Sequence, residues 1–388
     1  MNQPRVAFLL PNLKAGGLER VGLNLLKGMR KCNVKLDLVL TSAEGEFLND
    51  VPAEIRVIDL KTPIGYGIKT ASKIIIPLKN YLKKEKPDII VSHLYIYNVF
   101  AAIAKLLAIS PAYLVLVEHA AIYRSKKEAK GIQGWLLPLL IRYLYPGANA
   151  VVAVSHSLAR QFEADLNLRS GIIKTIYNPA IDETLFLKAK EPVDRSWFKD
   201  GEPPVILGVG RLVVQKDFLT LIRAFAIVRQ TQIARLVILG DGPEKRKLEA
   251  KVRELGLEND VALLGFTPNP YAYMARAKVF VLSSAWEGLP TVLIEAIALG
   301  TPVVSTNCKS GPEEILDGGK YGELVSVGDS EAIAQGIISV LSGHSKQVDR
   351  EWLDQFTWKT SIQKYLTLLG ITQVASYNSD FSISPNPP

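Results

Sequence analysis

The chain has little with which to hold a metal. Its 388 residues include two cysteines, Cys32 and Cys308, and four histidines, and none of them stands at metal-ligand spacing. Asp-x-Asp does not occur either. A bound diphosphate would therefore have to be neutralised by basic side chains and helix ends rather than by a divalent ion. Two cysteines far apart in sequence exclude a disulfide framework and point to a reducing compartment. No apolar run approaches the roughly 20 residues that span a bilayer. The short run after Arg5 ends at Pro11 and Asn12 and reads as a strand, not a secretory signal. The expected place is the cytoplasm, with at most a peripheral hold on the cytosolic face of a membrane.

Acidic residues are scarce in one half only. Residues 1–190 hold 26 Lys+Arg against 15 Asp+Glu, whereas residues 191–388 hold 20 against 23. A basic half beside a mildly acidic one suits an anionic surface or ligand on the first half. Anionic lipid, a lipid diphosphate and nucleic acid all fit that charge. So does a solvated surface that only keeps the protein soluble.

Short apolar runs alternate with amphipathic segments along both halves. Strands are predicted at 5–11, 35–41, 55–60, 88–93, 113–119 and 150–155, with helices after the first and near 68–84, 96–108, 132–144 and 157–165. From 182 to 204 the chain is charged and proline-bearing without a period, which reads as a domain linker. The alternation resumes with strands at 205–210, 235–240, 261–264, 279–283, 302–306 and 323–325, separated by helices. The pattern predicts an α/β chain of two tandem Rossmann-like, doubly wound domains. Residues 376–388, rich in Ser, Asn and Pro, read as a disordered tail.

The stretch from Ser283 to Gly311 organises the rest. Two carboxylates, Glu287 and Glu295, stand seven residues apart around Gly288, Leu289, Pro290 and Thr291. Pro290 suits the first turn of a helix. Glu287 then lies in the loop before it and Glu295 about a turn and a half inside. The free amides of Thr291 and Val292 favour an anion in front of them. Carboxylates repel phosphate, so their expected partners are hydroxyls, as when an acidic residue holds a ribose. A phosphate flanked by two hydroxyl-rich groups describes a nucleotide sugar. In isolation, the same two glutamates could be a helix cap and a solvent-facing side chain.

Other strand ends carry chemistry. Arg211 and Lys216 follow the first strand of the second half and could neutralise a diphosphate as it leaves. Gly208-x-Gly210 lacks the third glycine of a dinucleotide fingerprint, since position 213 is valine. Gly240-Asp241-Gly242-Pro243 reads as a tight turn opening a helix, structural or ligand-facing. Phe266 ends a strand as either a stacking residue or plain core. In the first half, Gly16 and Gly17 sit where strand passes to helix and backbone can approach a ligand. Glu118 and His119 end an apolar strand, and His93 ends the one before it.

Taken together, GGLER near the start, EHA at His119, NPAID at Asn178, GRL-x3-KD, GDGPE, LLGF and the E-x7-E block resemble the family-4 retaining glycosyltransferases of the GT-B fold. The likeness runs to about residue 370. It implies a nucleotide-sugar donor on the second domain, a saccharide or lipid-linked acceptor on the first, and reaction in the cleft between them. By position, Glu295 would hold the ribose, Glu287 the donor sugar, and Arg211 and Lys216 the diphosphate. Phe266 would lie against the base, His119 beside the sugar, and the Gly16–Gly17 loop on the phosphates. Glu287, His119, Arg211 and Lys216 are the expected catalytic set, and Gly288 to Thr291 complete the donor seat. No metal, cofactor or nucleic acid is expected. The implied domains are 1–185, 200–355 and a final helix at 356–370 that packs back on the first.

The resemblance leaves the substrate open. A UDP-N-acetylhexosamine or UDP-hexose donor is favoured for surface polysaccharide or lipid-linked glycans, and GDP-mannose users share the motifs. A sugar-nucleotide hydrolase or epimerase and a silent saccharide-binding module are the rivals. Two basic amphipathic segments, 68–86 and 123–145, offer an anionic membrane surface a place to dock, unless their apolar sides cover their own sheet.

Overall fold

The computed structural model describes residues 3–14, 16–62, 68–120 and 133–371. The chain divides into two compact units. Residues 3–179 and 358–371 form the first, and Ala180–Thr357 the second.

The first unit is built on seven parallel strands in the order β3-β2-β1-β4-β5-β6-β7. These are β1 (Arg5–Leu10), β2 (Lys35–Leu40), β3 (Arg56–Asp59), β4 (Ile89–His93), β5 (Tyr113–Glu118), β6 (Ala150–Ala153) and β7 (Lys174–Thr175). Their central residues, Val6 to Leu10 and Leu114 to Val117, are fully buried, as expected of strands covered on both faces. The longer helices are α1 (Gly17–Met29), α2 (Ile68–Glu85), α3 (Tyr95–Ala108), α4 (Gln133–Leu144) and α5 (His156–Asp165).

Six parallel strands make the second unit, in the order β10-β9-β8-β11-β12-β13. They are β8 (Val205–Val209), β9 (Arg235–Leu239), β10 (Val261–Gly265), β11 (Val279–Leu282), β12 (Val303–Thr306) and β13 (Glu323–Val325). Helices α6 (Glu183–Ala189), α7 (Phe218–Val228), α8 (Lys245–Glu254), α9 (Thr291–Ala298) and α10 (Ser330–Leu341) complete it. Ile222, Phe225 and Ile337 fill the space between α7, α10 and the sheet. The last helix, α11 (Trp358–Leu369), returns to the first unit and packs on α1. In both sheets the strand order reverses once, between β1 and β4 and between β8 and β11. Ligands of doubly wound sheets bind at such switch points, beyond the carboxyl ends of the strands.

Three sequence expectations need correction. The stretch 182–204 is not a free linker but part of the second unit. Asp182 caps α6 through a 3.1 Å bond from the Leu185 amide. Asn269 and Arg276 donate to the Lys188 and Ala189 carbonyls at 2.9 Å each. Composition cannot show bonds that end on backbone oxygens. Next, Pro290 is the N-cap of α9 rather than a residue of its first turn. Finally, most of the apolar side of α2 is spent inside the first unit: Ile74, Ile75, Leu78, Tyr81 and Leu82 are buried, the helix packs on α3, and the Tyr81 hydroxyl bonds Asp37 of β2, while Ile76 stays exposed. The basic cluster at 124–130 and the tail at 376–388 lie outside the described residues.

At the amino edge of the first sheet, an ion network around the buried Asp37 joins four elements. Asp37 accepts from Arg56 at 2.6 and 2.9 Å and from the Tyr81 hydroxyl at 2.6 Å. Glu85 accepts from Arg56 and Arg5.

Candidate active site

The carboxyl ends of β8 and β11 flank the switch point of the second sheet, and the chain after each carries the expected residues. After β8, Gly210 and Arg211 turn outward. Arg211 is exposed and makes no ion pair among the described residues. Six residues on, Asp217 adopts left-handed backbone (φ 44°) and caps α7, accepting from the Thr220 amide at 3.4 Å and from its hydroxyl at 2.7 Å. That cap stops the turn, and Lys216 precedes it. The aspartate of the GRL-x3-KD pattern is therefore a positioning residue.

After β11, the loop from Ser283 to Pro290 leads into α9. Glu287 lies in this loop and accepts from the Lys216 ammonium at 2.6 Å, with the two side chains 9 % and 17 % exposed. The sequence does not show this pairing, because the family resemblance assigns each its own ligand group. The structure couples them, leaving two Lys216 protons for another acceptor. Gln215, which sequence reasoning missed, holds the two loops together. Its amide donates to the Trp286 carbonyl at 2.9 Å and reaches Glu287 at 3.4 Å, and its own carbonyl accepts from Ala285 at 2.8 Å. Ser283 donates to the Lys216 carbonyl at 2.7 Å. These bonds give the Lys216–Glu287 pair a rigid base.

Glu295 sits inside α9, buried, with the Tyr271 hydroxyl 3.4 Å from its Oε1. Gly288, Leu289 and Pro290 are buried beneath the helix start, and Thr291 is half-buried. Gly311 (φ 93°) packs on them so closely that a Cβ there would stand 2.6 Å from the Pro290 ring. The Ser284 and Ser310 hydroxyls, on the loops after β11 and β12, are buried without a hydrogen-bond partner among the described residues. Phe266, just past β10, is 49 % exposed, so it is not core. The Gly240–Gly242 turn is structural. A Cβ on Gly240 would lie 1.9 Å from the Gly210 carbonyl oxygen, so this turn props the one that bears Arg211. Cys308 is also buried, and burial first, then Glu287, pushes its thiol up to about 12.

In the first unit, β1, β4 and β5 end side by side at the other switch point. Gly16 is the N-cap of α1 in extended backbone, and the Cβ position of Gly17 meets nothing within 4 Å. Packing does not demand a glycine at 17. His93 and His119, at the ends of β4 and β5, come together: Nδ1 of His93 lies 2.9 Å from Nε2 of His119. Burial pushes His119 down to about 3 and His93 well below its ordinary value. Both rings are therefore neutral at pH 7, one donating to the other. Behind them, Glu118 is buried and accepts from Asn98 at 2.8 Å and from the Tyr145 hydroxyl, both at Oε1. Burial pushes its carboxyl up to about 8. Asn98 and Tyr145 carried no sequence signal, because the network forms only when α3 and the segment after α4 meet the strand end.

Two family models divide the chain at its two units. The model described as "Glycosyltransferase Family 4" matches residues 15–183, and "Glycosyl transferases group 1" matches residues 189–351. The chain belongs to the family-4 type of GT-B glycosyltransferases. An uncharacterized glycosyltransferase of Methanocaldococcus jannaschii is 32% identical over 66% of this chain. The Campylobacter jejuni N-acetylgalactosamine-N,N'-diacetylbacillosaminyl-diphospho-undecaprenol 4-alpha-N-acetylgalactosaminyltransferase is 37% identical over 52% of it. The matched stretches span 64% and 53% of those two relatives. An Anabaena protein solved with UDP and glucose shares the GT-B fold, with a TM-score of 0.78 at 22% identity over 94% of this chain and 99% of its own. No helix among the described residues is long and apolar enough to cross a membrane.

Proposed function

We propose that the protein is a retaining transferase that moves a hexosyl unit, N-acetylhexosamine above all, from a uridine diphosphate sugar to a saccharide or lipid-linked acceptor of a surface glycan. The Lys216–Glu287 pair before the open end of α9 carries this reading. It sets a cation, a helix amino end and a carboxylate within one seat, where a diphosphate and a sugar would need them. The name of the Campylobacter relative, an α-transfer onto a saccharide carried by diphospho-undecaprenol, supports the acceptor class.

In this reading Glu295 holds the ribose hydroxyls and Glu287 the hydroxyls of the donor sugar. Arg211, the remaining Lys216 protons and the α9 amides take the diphosphate and stabilise its charge as the bond to the sugar breaks. The acceptor oxygen bonds on the face the diphosphate leaves, and its proton passes to the departing diphosphate. No metal or cofactor takes part. Phe266 offers its ring to the base. From the first unit, we assign neutral His119 to the donor sugar and the Gly16–Gly17 turn to the phosphates. The enzyme works in the cytoplasm, on the cytosolic leaflet when its acceptor is lipid-linked.

Calorimetry with UDP and GDP, with and without chelator, tests the donor seat, and UDP should bind in both conditions. Binding to neither nucleotide, or binding that chelator abolishes, overturns it. With acceptor supplied, nucleotide release should accelerate and the new bond should keep the donor's α configuration. Release to water alone identifies a hydrolase, and an inverted product removes the retaining assignment.

A further inference from the structure

Helices α2, α3 and α4 lie side by side in the first unit. Each returns the chain to the next parallel strand, so their carboxyl ends meet at the amino edge of the sheet. There the Tyr113 amide donates to the Asp88 carbonyl at 2.8 Å, and the Asn149 amide to the Leu114 carbonyl at 2.9 Å, tying the loops together.

Large apolar side chains stand in solvent at this edge. Leu106 is 66 % exposed, Leu107 53 %, Tyr143 77 % and Ile109 90 %. Ile109 also adopts left-handed backbone (φ 53°, ψ 41°) at the end of α3. β-Branched residues avoid that conformation, which suits glycine or asparagine. An isoleucine that is both strained and bare serves neither the core nor the turn.

The charge around these residues has one sign. The sequences of the three helices contain five lysines in α2, Lys105 in α3, Arg142 in α4 and a single carboxylate, Glu85. Glu85 is already engaged by Arg5 and Arg56. Nearby Asp88 accepts from the Arg5 amide at 2.7 Å. Lys83, Lys84, Lys86 and Arg142 are exposed.

We propose that this edge of the first unit docks on an anionic lipid surface. The helix-end side chains enter the headgroup boundary, and the lysines and Arg142 bind lipid phosphates. Lysine is depleted at protein–protein interfaces, whereas basic residues beside exposed Leu, Ile and Tyr mark interfacial anchors. The surface differs from the apolar side of α2, which the fold has used. It also stands apart from the transfer reading, since lipid binding is measured without any donor or acceptor.

Flotation with phosphatidylcholine vesicles, with and without phosphatidylglycerol, tests the proposal. The protein should float with the anionic vesicles, less at high salt, and little with the neutral ones. Reversing Lys83, Lys84 and Arg142 to Glu should lower partitioning by about a hundredfold or more. Ile109→Gly relieves the backbone while removing the side chain. It should keep or raise the melting temperature, lower vesicle binding by about tenfold, and leave transfer to a soluble acceptor unchanged. Equal absence of flotation with both vesicle types at low salt overturns the proposal. So does self-association that Ile109→Gly abolishes in a protein that binds no vesicle, which would make the edge an interface between copies.

Discussion

The pairing of Lys216 with Glu287 makes an unequal pair of mutants. The two groups are 2.6 Å apart and mostly covered, though not sealed from water. Their coupling should therefore exceed that of a surface ion pair, at most about 1 kcal/mol, and fall below the roughly 3–5 kcal/mol for breaking a buried one. A double-mutant cycle of Lys216→Ala and Glu287→Ala, read by urea unfolding without ligand, should give about 2 kcal/mol. The effect on nucleotide has the opposite asymmetry. Glu287→Ala releases the lysine to the phosphates, so bare UDP should bind as well as or better than to the native protein while transfer collapses. Lys216→Ala leaves a covered carboxylate beside the phosphate site and should weaken UDP by about ten to a hundredfold, the worth of one lost charged hydrogen bond. Glu295→Ala should weaken UDP to a similar extent, because its assigned partner is the ribose. Calorimetry of the three single variants settles the assignment. A coupling below about 0.5 kcal/mol, or a loss of UDP affinity in Glu287→Ala equal to that in Glu295→Ala, would refute the reasoning.

Other outcomes follow from the buried groups. Glu118 is neutral in the fold up to about pH 8 but ionises near pH 4 to 5 when unfolded, so the unfolded state binds fewer protons between those values. This group's contribution to stability should therefore fall as pH rises from about 5 to 8, and Glu118→Gln should abolish that slope in thermal melts. Asp37 has the opposite sign: burial raises its pKa, but hydrogen bonds from Arg56 and Tyr81 outweigh this and leave it lowered. Its stabilisation should be full at neutral pH and fade below about pH 4, a fade that Asp37→Asn should lack. Phe266→Ala should weaken UDP by about 1–3 kcal/mol if the ring stacks on the base, and an unchanged Kd would return it to a surface residue. Gly240→Ala should lower the melting temperature and UDP affinity together, since the added carbon meets the Gly210 carbonyl, and a native melting curve would show that the turn is not a prop.

Much of this was legible because the signals were local. Buried parallel strands are continuous runs of Val, Ile and Leu, so their places could be read from composition within a few residues. β7 is two polar residues long and escaped notice. The E-x7-E spacing placed Glu287 in a loop and Glu295 inside a helix, as found. What could not be read was which groups face each other. Lys216 and Glu287 are 71 residues apart, and His93 and His119 are 26 apart. Neither contact has a period or spacing that marks it. Lys216 and Glu287 follow the two strands that flank the reversal of the second sheet, and His93 and His119 end the neighbouring strands β4 and β5, so strand order had to precede the chemistry.

The amphipathic pattern of α2 failed as a guide to docking for a related physical reason. An apolar stripe at helical spacing reports that something covers it, and a helix inside a layered domain finds that cover in its own unit. Ile74, Leu78 and Leu82 follow that rule. The informative residues are those that break it. Leu106 and Leu107 close a helix whose inner face is already occupied by Val99, Ala101 and Ala102, and Ile109 follows in a conformation its side chain opposes. Periodicity therefore identified the core-facing residues, and departure from periodicity at a helix end identified the surface available for a partner. At the proposed donor seat, Arg211 stands exposed without an ion pair among the described residues, and the Lys216–Glu287 pair leaves two lysine protons unspent. In both places a ligand's position is marked by the group that the fold leaves unused.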